Sequence, residues 1–330
     1  MTGTNMQNRR AKPRVVVIGG GTGLSVMLRG LKHKPLDITA IVTVADDGGS
    51  SGVLRSELKI PPPGDIRNVL IALADVEPML SKMLAYRFKN GAGLAGHSLG
   101  NLILAAMKDI TGDFVTGVKE LSRVLAVRGQ VLPAAAKAIV LKAEMEDGSI
   151  VVGESSIPKS RKRIRRVFLD KADQIRPLDE ALEAVRQADA IVVGPGSLYT
   201  SILPNLLVPH ISQTILNSNA VKIFVCNVMT QPGETDHYSV YDHVRAIEEH
   251  VGSKMFDYVI VNNGDIPEPV RKKYAEQGAG VVKLDLDRLK ERGYKVVADH
   301  LVLYRTYLRH DADRLSNHIY QLVQEGLRKG

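Results

Sequence analysis

Two glycine turns carry the plainest chemistry in this chain. Gly19-Gly20-Gly21-Thr22-Gly23 follows the apolar run Val15-Val16-Val17-Ile18 and precedes Leu24-Ser25-Val26-Met27-Leu28. That order reads as a buried strand, a turn and a helix. Glycine lets the backbone take positive φ and lets a ligand approach with no Cβ in the way. The first amides of a helix have no internal acceptor, so they suit an anion, usually a phosphate. Gly194-Pro195-Gly196-Ser197 repeats the arrangement after Ala190-Ile191-Val192-Val193, with Ser197 placed to cap the helix behind it. A diphosphate held there needs neighbouring hydrogen bonds too, because an exposed helix N-terminus contributes only about 0.3–1 kcal/mol.

The remaining candidates are carboxylates, cations and amides. Asp46 and Asp47 stand where a βαβ unit carries its ribose-binding acid. They could accept sugar hydroxyls or hold a divalent cation through water, and on an extended chain only one of two neighbours faces the ligand. Asp65 and Arg67 follow Pro61-Pro62-Pro63-Gly64, either as a salt-bridged turn or with Arg67 on a phosphate. His97 and Asn101 flank Ser98, an N-cap by type, and could reach a ligand; a structural histidine is the plainer reading. Asn227 opens a further polar loop.

The turn at 19–23 departs from the dinucleotide fingerprint, since Leu24 takes the third glycine's place, and no Gly-Lys-Ser/Thr follows it. A nicotinamide dehydrogenase therefore rests on a partial motif alone. No obvious base–nucleophile pair stands out. His210, His237 and His243 have no metal-site spacing, Cys226 reads as a small hydrophobe, and no metal site is expected.

These residues need a frame. Strands alternate with helices from about residue 14, the pattern of a parallel sheet, with strands expected at 38–44, 190–193, 221–226 and 258–261. Helices are expected at 66–74, 79–88, 99–107 and 114–125. A final helix carries a stripe of Leu315, Ile319, Leu322 and Val323. The expected architecture is α/β, a Rossmann-like doubly wound and mainly parallel sheet. Residues 1–13 read as a loose tail, and 14–330 as one domain with a small β-rich insertion at about 130–176. Ligands of such sheets lie outside the carboxyl ends of the strands, where strand order switches, so five polar loops should share one rim.

The chain has 330 residues, 44% of them hydrophobic, and no apolar run long enough to span a bilayer. One cysteine fits a reducing cytosol, and a cytoplasmic protein is expected. The net charge is +8, but only 5% of residues are aromatic and none is Trp, which argues against a nucleic-acid platform. The basic run at 159–166 (Lys159, Arg161, Lys162, Arg163, Arg165, Arg166) reads as a solvated edge before an anion-binding surface.

Taken together, the turns at 19–23 and 194–197, Ala45-Asp46-Asp47-Gly48-Gly49-Ser50-Ser51-Gly52, Pro63-Gly64-Asp65-x-Arg67-Asn68, His97-Ser98-x-Gly100-Asn101 and Asn227-Val228-Met229-Thr230-Gln231-Pro232-Gly233-Glu234-Thr235 resemble one superfamily over about residues 14–325. It groups the YvcK-type gluconeogenesis factors with the CofD-like 2-phospho-L-lactate transferases, and the last motif resembles the former branch. The resemblance implies a Rossmann-like fold that binds UDP-N-acetylglucosamine, with uridine and diphosphate along the two glycine turns. It implies regulation of bacterial carbon use, cell-wall synthesis and cell shape, and hence a protein partner in cell-wall synthesis; a homo-oligomer is left open. Tyr274 and Arg309 resemble residues that branch uses for the sugar nucleotide. By type, Arg309 can meet a phosphate and Tyr274 can stack on a ring. The alternative is a phosphoryl or phospholactyl transferase with a nucleoside-diphosphate donor and Mg²⁺ near Asp46 or Asp47. Only that alternative calls for a cofactor.

Overall fold

A computed structural model describes residues 12–304 and 307–329. The expected tail at 1–13 lies outside the described residues except for Lys12 and Pro13. Twelve strands are named in chain order: β1 (Arg14–Gly19), β2 (Asp37–Val42), β3 (Gln130–Pro133), β4 (Leu141–Met145), β5 (Ile150–Val152), β6 (Ile164–Leu169), β7 (Ala190–Val193), β8 (Val221–Val225), β9 (Tyr258–Asn262), β10 (Lys295–Asp299), β11 (Val302–Tyr304) and β12 (Leu308–His310). Seven of them form one sheet in the order β10-β9-β8-β7-β1-β2-β3, and every neighbouring pair is parallel.

A parallel sheet covered on both faces selects strands that are apolar throughout. Val15, Val16, Val17 and Ile18 are all buried. From β1 the chain steps one way to β2 and β3, then returns to lay β7 to β10 on the other side. The switch in strand order therefore falls between β1 and β7, where Ile18 stands opposite Val193. That register puts the turns at 19–23 and 194–197 side by side, both at carboxyl ends.

The helix Gly21–Leu31 buries Leu24, Met27, Leu28 and Leu31, a 3.6-residue stripe, each worth roughly 1.5–3 kcal/mol when fully buried. The final helix, Ala312–Lys329, buries Leu315, Ile319, Leu322 and Val323, as its stripe required, and packs on the first helix. Gly30 permits that approach, since a Cβ there would lie 2.2 Å from the Ala312 carbonyl oxygen.

The expected insertion starts later than residue 130. β3 pairs with β2, Thr39 opposite Gln130 through Val42 opposite Pro133, and belongs to the main sheet. Its four residues are too few to show a period, and Pro133 is tolerated because β3 is an edge strand. The small antiparallel sheet is β5-β4-β6, with β4 and β5 joined over Asp147-Gly148. A helix at Gly49–Leu58, hidden by its glycine- and serine-rich start, follows β2. Near the carboxyl edge, Val228, Ile266, Val270, Val302 and Leu308 form a small apolar cluster of their own, with Met229 and Tyr274 against it. It holds the helix Glu268–Ala275 and the hairpin β11–β12 over the switch point.

Candidate functional site

The crevice at the switch point has a volume of about 320 Å³. Gly20, Gly21, Thr22 and Gly23 line one side, and Pro195, Gly196, Ser197 and Asn227 the other. Tyr274 and Arg309 reach it from the small apolar lobe. Nine of the sixteen candidate residues thus converge. Gly194 sits behind them, where its amide donates to the Ile18 carbonyl at 3.0 Å.

Close approach explains the glycines. A Cβ on Gly23 would lie 3.0 Å from the Pro195 carbonyl oxygen, and one on Gly196 would lie 3.2 Å from the Gly20 carbonyl oxygen. Gly21 and Gly194 have φ of +69° and +80°, which side chains other than glycine rarely adopt. Asn227 fixes the second turn by donating to the Gly196 carbonyl at 2.7 Å and accepting its amide at 3.1 Å.

The helix mouths are less open than their glycines imply. Asp65 lies under the first turn, where a Cβ on Gly20 would come within 2.5 Å of its Oδ2, and its carboxylate accepts the Gly21 amide. Burial, with Asp46 nearby, pushes that carboxyl up to about 6. Thr22 and Gly23, in the first helical turn, keep amides without an intrahelical acceptor. Behind the second turn the segment Leu198–Ile202 is a π-helix, and the Ser197 side chain makes no cap. Glu234 takes that place instead, accepting the Tyr199 amide at 3.2 Å and the Thr200 hydroxyl at 3.0 Å. Glu234 is 4% exposed, and burial pushes it up to about 7.

Asp46, Asp47, Asp65, Arg67, His97 and Asn101 do not line the crevice. Asp46 accepts the Gly48 amide at 2.9 Å, and Asp47 accepts the Ser155 amide of the small sheet's loop at 2.8 Å. Arg67 forms no ion pair with Asp65 among the described residues; it donates to Ser98, to Asn101 Oδ1 at 3.0 Å and to Asn68 Oδ1 at 2.7 Å. Ser98 caps its helix by accepting the Asn101 amide at 3.2 Å, as expected. His97 Nδ1 meets Ser50 Oγ at 3.0 Å, and Asn101 donates to the same oxygen at 3.0 Å. The sequence expectation of no base–nucleophile pair is corrected here. Residues 48–52 and 96–100 both fit Gly-x-Ser-x-Gly, and Ser50 does meet a histidine. Ser50 and His97 are 6% and 8% exposed and lie off the crevice, so they act as a buried polar network.

Sequence reading missed three contributors. Glu154, carried in by the small sheet, is pushed up to about 8 by burial and by Asp46, Glu234, Asp65 and Asp47. Arg55 braces the Asp46 loop by donating to the carbonyls of Ala45 and Ile139. Glu234 lay inside a quoted motif, but nothing in its spacing pointed to a helix mouth 35 residues earlier. Four of the six cations in the basic run at 159–166 pair with three carboxylates of the same small β-rich unit: Lys162 with Asp147, Arg163 with Glu146, and Arg165 and Arg166 with Glu144.

A larger depression, about 1120 Å³, opens at the amino ends of β1 and β2 among Lys12, Arg14, Lys32, Lys34 and Arg128. Size does not make it the better site. The helix Gly21–Leu31 ends there, so carbonyls and not amides face it, and Lys32 is bonded to the Ala74 carbonyl at 2.7 Å. Among the described residues no helix is long and apolar enough to cross a membrane.

The model of the family described as 2-phospho-L-lactate transferase CofD matches residues 15–302. The "Gluconeogenesis factor" of Bacillus subtilis is 57% identical over 315 residues, covering 95% of this chain and 99% of that protein. Its namesake from Halalkalibacterium halodurans is 58% identical over 311 residues, covering 94% and 96%. A crystal structure of a upf0052-family protein from Bacillus halodurans superposes with a TM-score of 0.91 at 57% identity, covering 94% of this chain and 99% of that one.

Proposed function

This chain belongs to the 2-phospho-L-lactate transferase CofD family, and from that premise we propose that it is a regulator that binds a nucleotide sugar, UDP-N-acetylglucosamine, in the switch-point crevice. The observation that carries the reading is the meeting of the two glycine turns with Asn227, Tyr274 and Arg309 around one opening. The Thr22 and Gly23 amides and the Arg309 guanidinium supply donors for a diphosphate, and Tyr274 offers an aromatic face and a hydroxyl to the rest of the ligand. Leu308, Arg309 and His310 of β12 line the crevice, so a bound ligand touches the hairpin β11–β12 directly, and that hairpin is the surface through which occupancy is passed to a partner in this reading. By its likeness to relatives named gluconeogenesis factors, that output serves growth on gluconeogenic carbon, and by the motif resemblance it extends to cell-wall synthesis and cell shape. Calorimetry with UDP-N-acetylglucosamine tests the reading. Heat saturating at one ligand per chain is expected; no heat at millimolar ligand with folded protein rejects it.

A transferase is the second reading, favoured by the family's description and by Asp46, Asp47, Asp65, Glu154 and Glu234 gathered beside the crevice. Among the described residues no three carboxylate, histidine or cysteine groups converge to hold a metal, and Asp46 and Asp47 are each turned to a backbone amide. The residues present thus do not form a metal site by themselves. Incubation with nucleotide donors, Mg²⁺ and hydroxyl acceptors decides; absence of both turnover and metal dependence rejects a transferase.

A further inference from the structure

The hairpin β11–β12 carries an aromatic residue beside Arg309, behind the crevice lining, that no motif marks. Tyr307 immediately precedes β12 and stands two residues before Arg309. The Arg309 guanidinium carbon lies 5.3 Å from the centroid of the Tyr307 ring. The Lys273 amine, from the helix Glu268–Ala275, lies 5.6 Å from the same centroid. Tyr307 is exposed, whereas its neighbour Leu308 is buried in the small apolar cluster. The Leu308 amide donates to the Tyr274 hydroxyl at 3.0 Å, which ties the strand to the helix. The backbone of β12 is therefore anchored on one side, and on the other the ring of Tyr307 lies beside the cation that faces the crevice.

We infer that Tyr307 is a positioning residue for nucleoside diphosphates: its ring face orients the Arg309 guanidinium toward the crevice. The inference rests on the reading of the crevice as a diphosphate site. A free arginine side chain samples many rotamers, and ordering it on binding costs affinity. A ring quadrupole that narrows those rotamers beforehand lowers that cost without touching the ligand. Tyr307 then matters for ligands that carry phosphate and not for those that lack it.

The test uses the full chain, with calorimetry on UDP and on uridine for Tyr307→Leu, Tyr307→Phe, Arg309→Ala and the double variant Tyr307→Leu/Arg309→Ala. An exposed cation–π contact corresponds to roughly a two- to fivefold change in affinity. Tyr307→Leu is expected to weaken UDP by that factor and to leave uridine unchanged. Tyr307→Phe keeps the ring and is expected to bind UDP like the parent. In the Arg309→Ala background, Tyr307→Leu is expected to cause no further loss. Parental UDP binding by Tyr307→Leu, an equal loss for uridine, or an undiminished loss in the Arg309→Ala background would overturn the inference while leaving the crevice as the binding site. If the parent protein itself takes up no UDP at millimolar concentration, the crevice reading fails, and this inference falls with it.

Discussion

Glu234 makes the protein's stability depend on pH, and the size of that dependence follows from its surroundings. Its carboxylate accepts the Tyr199 amide, the Thr200 hydroxyl and the Gln231 side-chain amide, the last at 2.6 Å. Burial outweighs these donors and raises its pKa from 4.5 to about 7. Between those two values the folded protein holds a proton that the unfolded chain has released. The resulting stabilisation is complete below the unfolded value and is lost as pH rises through 7. A tenfold difference in proton affinity between the folded and unfolded chain is worth about 1.4 kcal/mol, so Glu234 alone contributes about 3 kcal/mol across the interval. Asp65, raised to about 6, and Glu154, raised to about 8, act with the same sign. The substitution Glu234→Gln removes the titration while adding a pH-independent cost of about 1–3 kcal/mol, because one former acceptor becomes a donor. Urea unfolding without ligand at pH 5 and pH 8 reads the difference, provided the m-values agree. The stability gap between parent and variant should shrink by about 2–3 kcal/mol on going from pH 5 to pH 8. A gap of the same size at both pH values would refute the reasoning.

Three further substitutions probe the crevice wall. Asn227→Ala removes both hydrogen bonds that hold the Gly196 backbone, so unfolding free energy should fall by about 1–3 kcal/mol and nucleotide affinity with it; unchanged affinity in calorimetry would count against the second turn. Gly23→Ala places a Cβ 3.0 Å from the Pro195 carbonyl oxygen, and the two turns must part by a few tenths of an ångström. UDP-N-acetylglucosamine affinity should drop about tenfold with little change in Tm; the reverse pattern would mark the contact as structural only. Tyr274→Phe leaves the Leu308 amide without its acceptor, a local cost of about 1 kcal/mol, visible as faster hydrogen exchange at Leu308.

Much of the frame was legible because long-range order and local pattern agree there. The run 15–18 followed by glycines declares a buried strand and a turn, and a wholly parallel sheet then forces the loops after β1, β2, β7, β8 and β9 onto one edge. The stripe at Leu315, Ile319, Leu322 and Val323 declares its helix for the same reason. What stayed hidden depends on contacts distant in sequence. Asp65 and Glu234 bind helix-mouth amides 44 and 35 residues away, and no spacing encodes such a meeting. Asp47 looks like a ligand acid until the small sheet brings the Ser155 amide to it. The helix Gly49–Leu58 begins with Gly-Ser-Ser-Gly, which locally favours a turn, and tertiary packing of Leu54 overrides that preference. β3 and β11–β12 are each three or four residues long, too short to display a period of two.

A crystal structure of the protein with UDP-N-acetylglucosamine tests the binding claim most directly. The diphosphate should lie within hydrogen-bond distance of the Thr22 and Gly23 amides and of the Arg309 guanidinium. A diphosphate seated instead among Lys12, Lys32 and Lys34 at the amino ends of the strands, with the crevice empty, would contradict it.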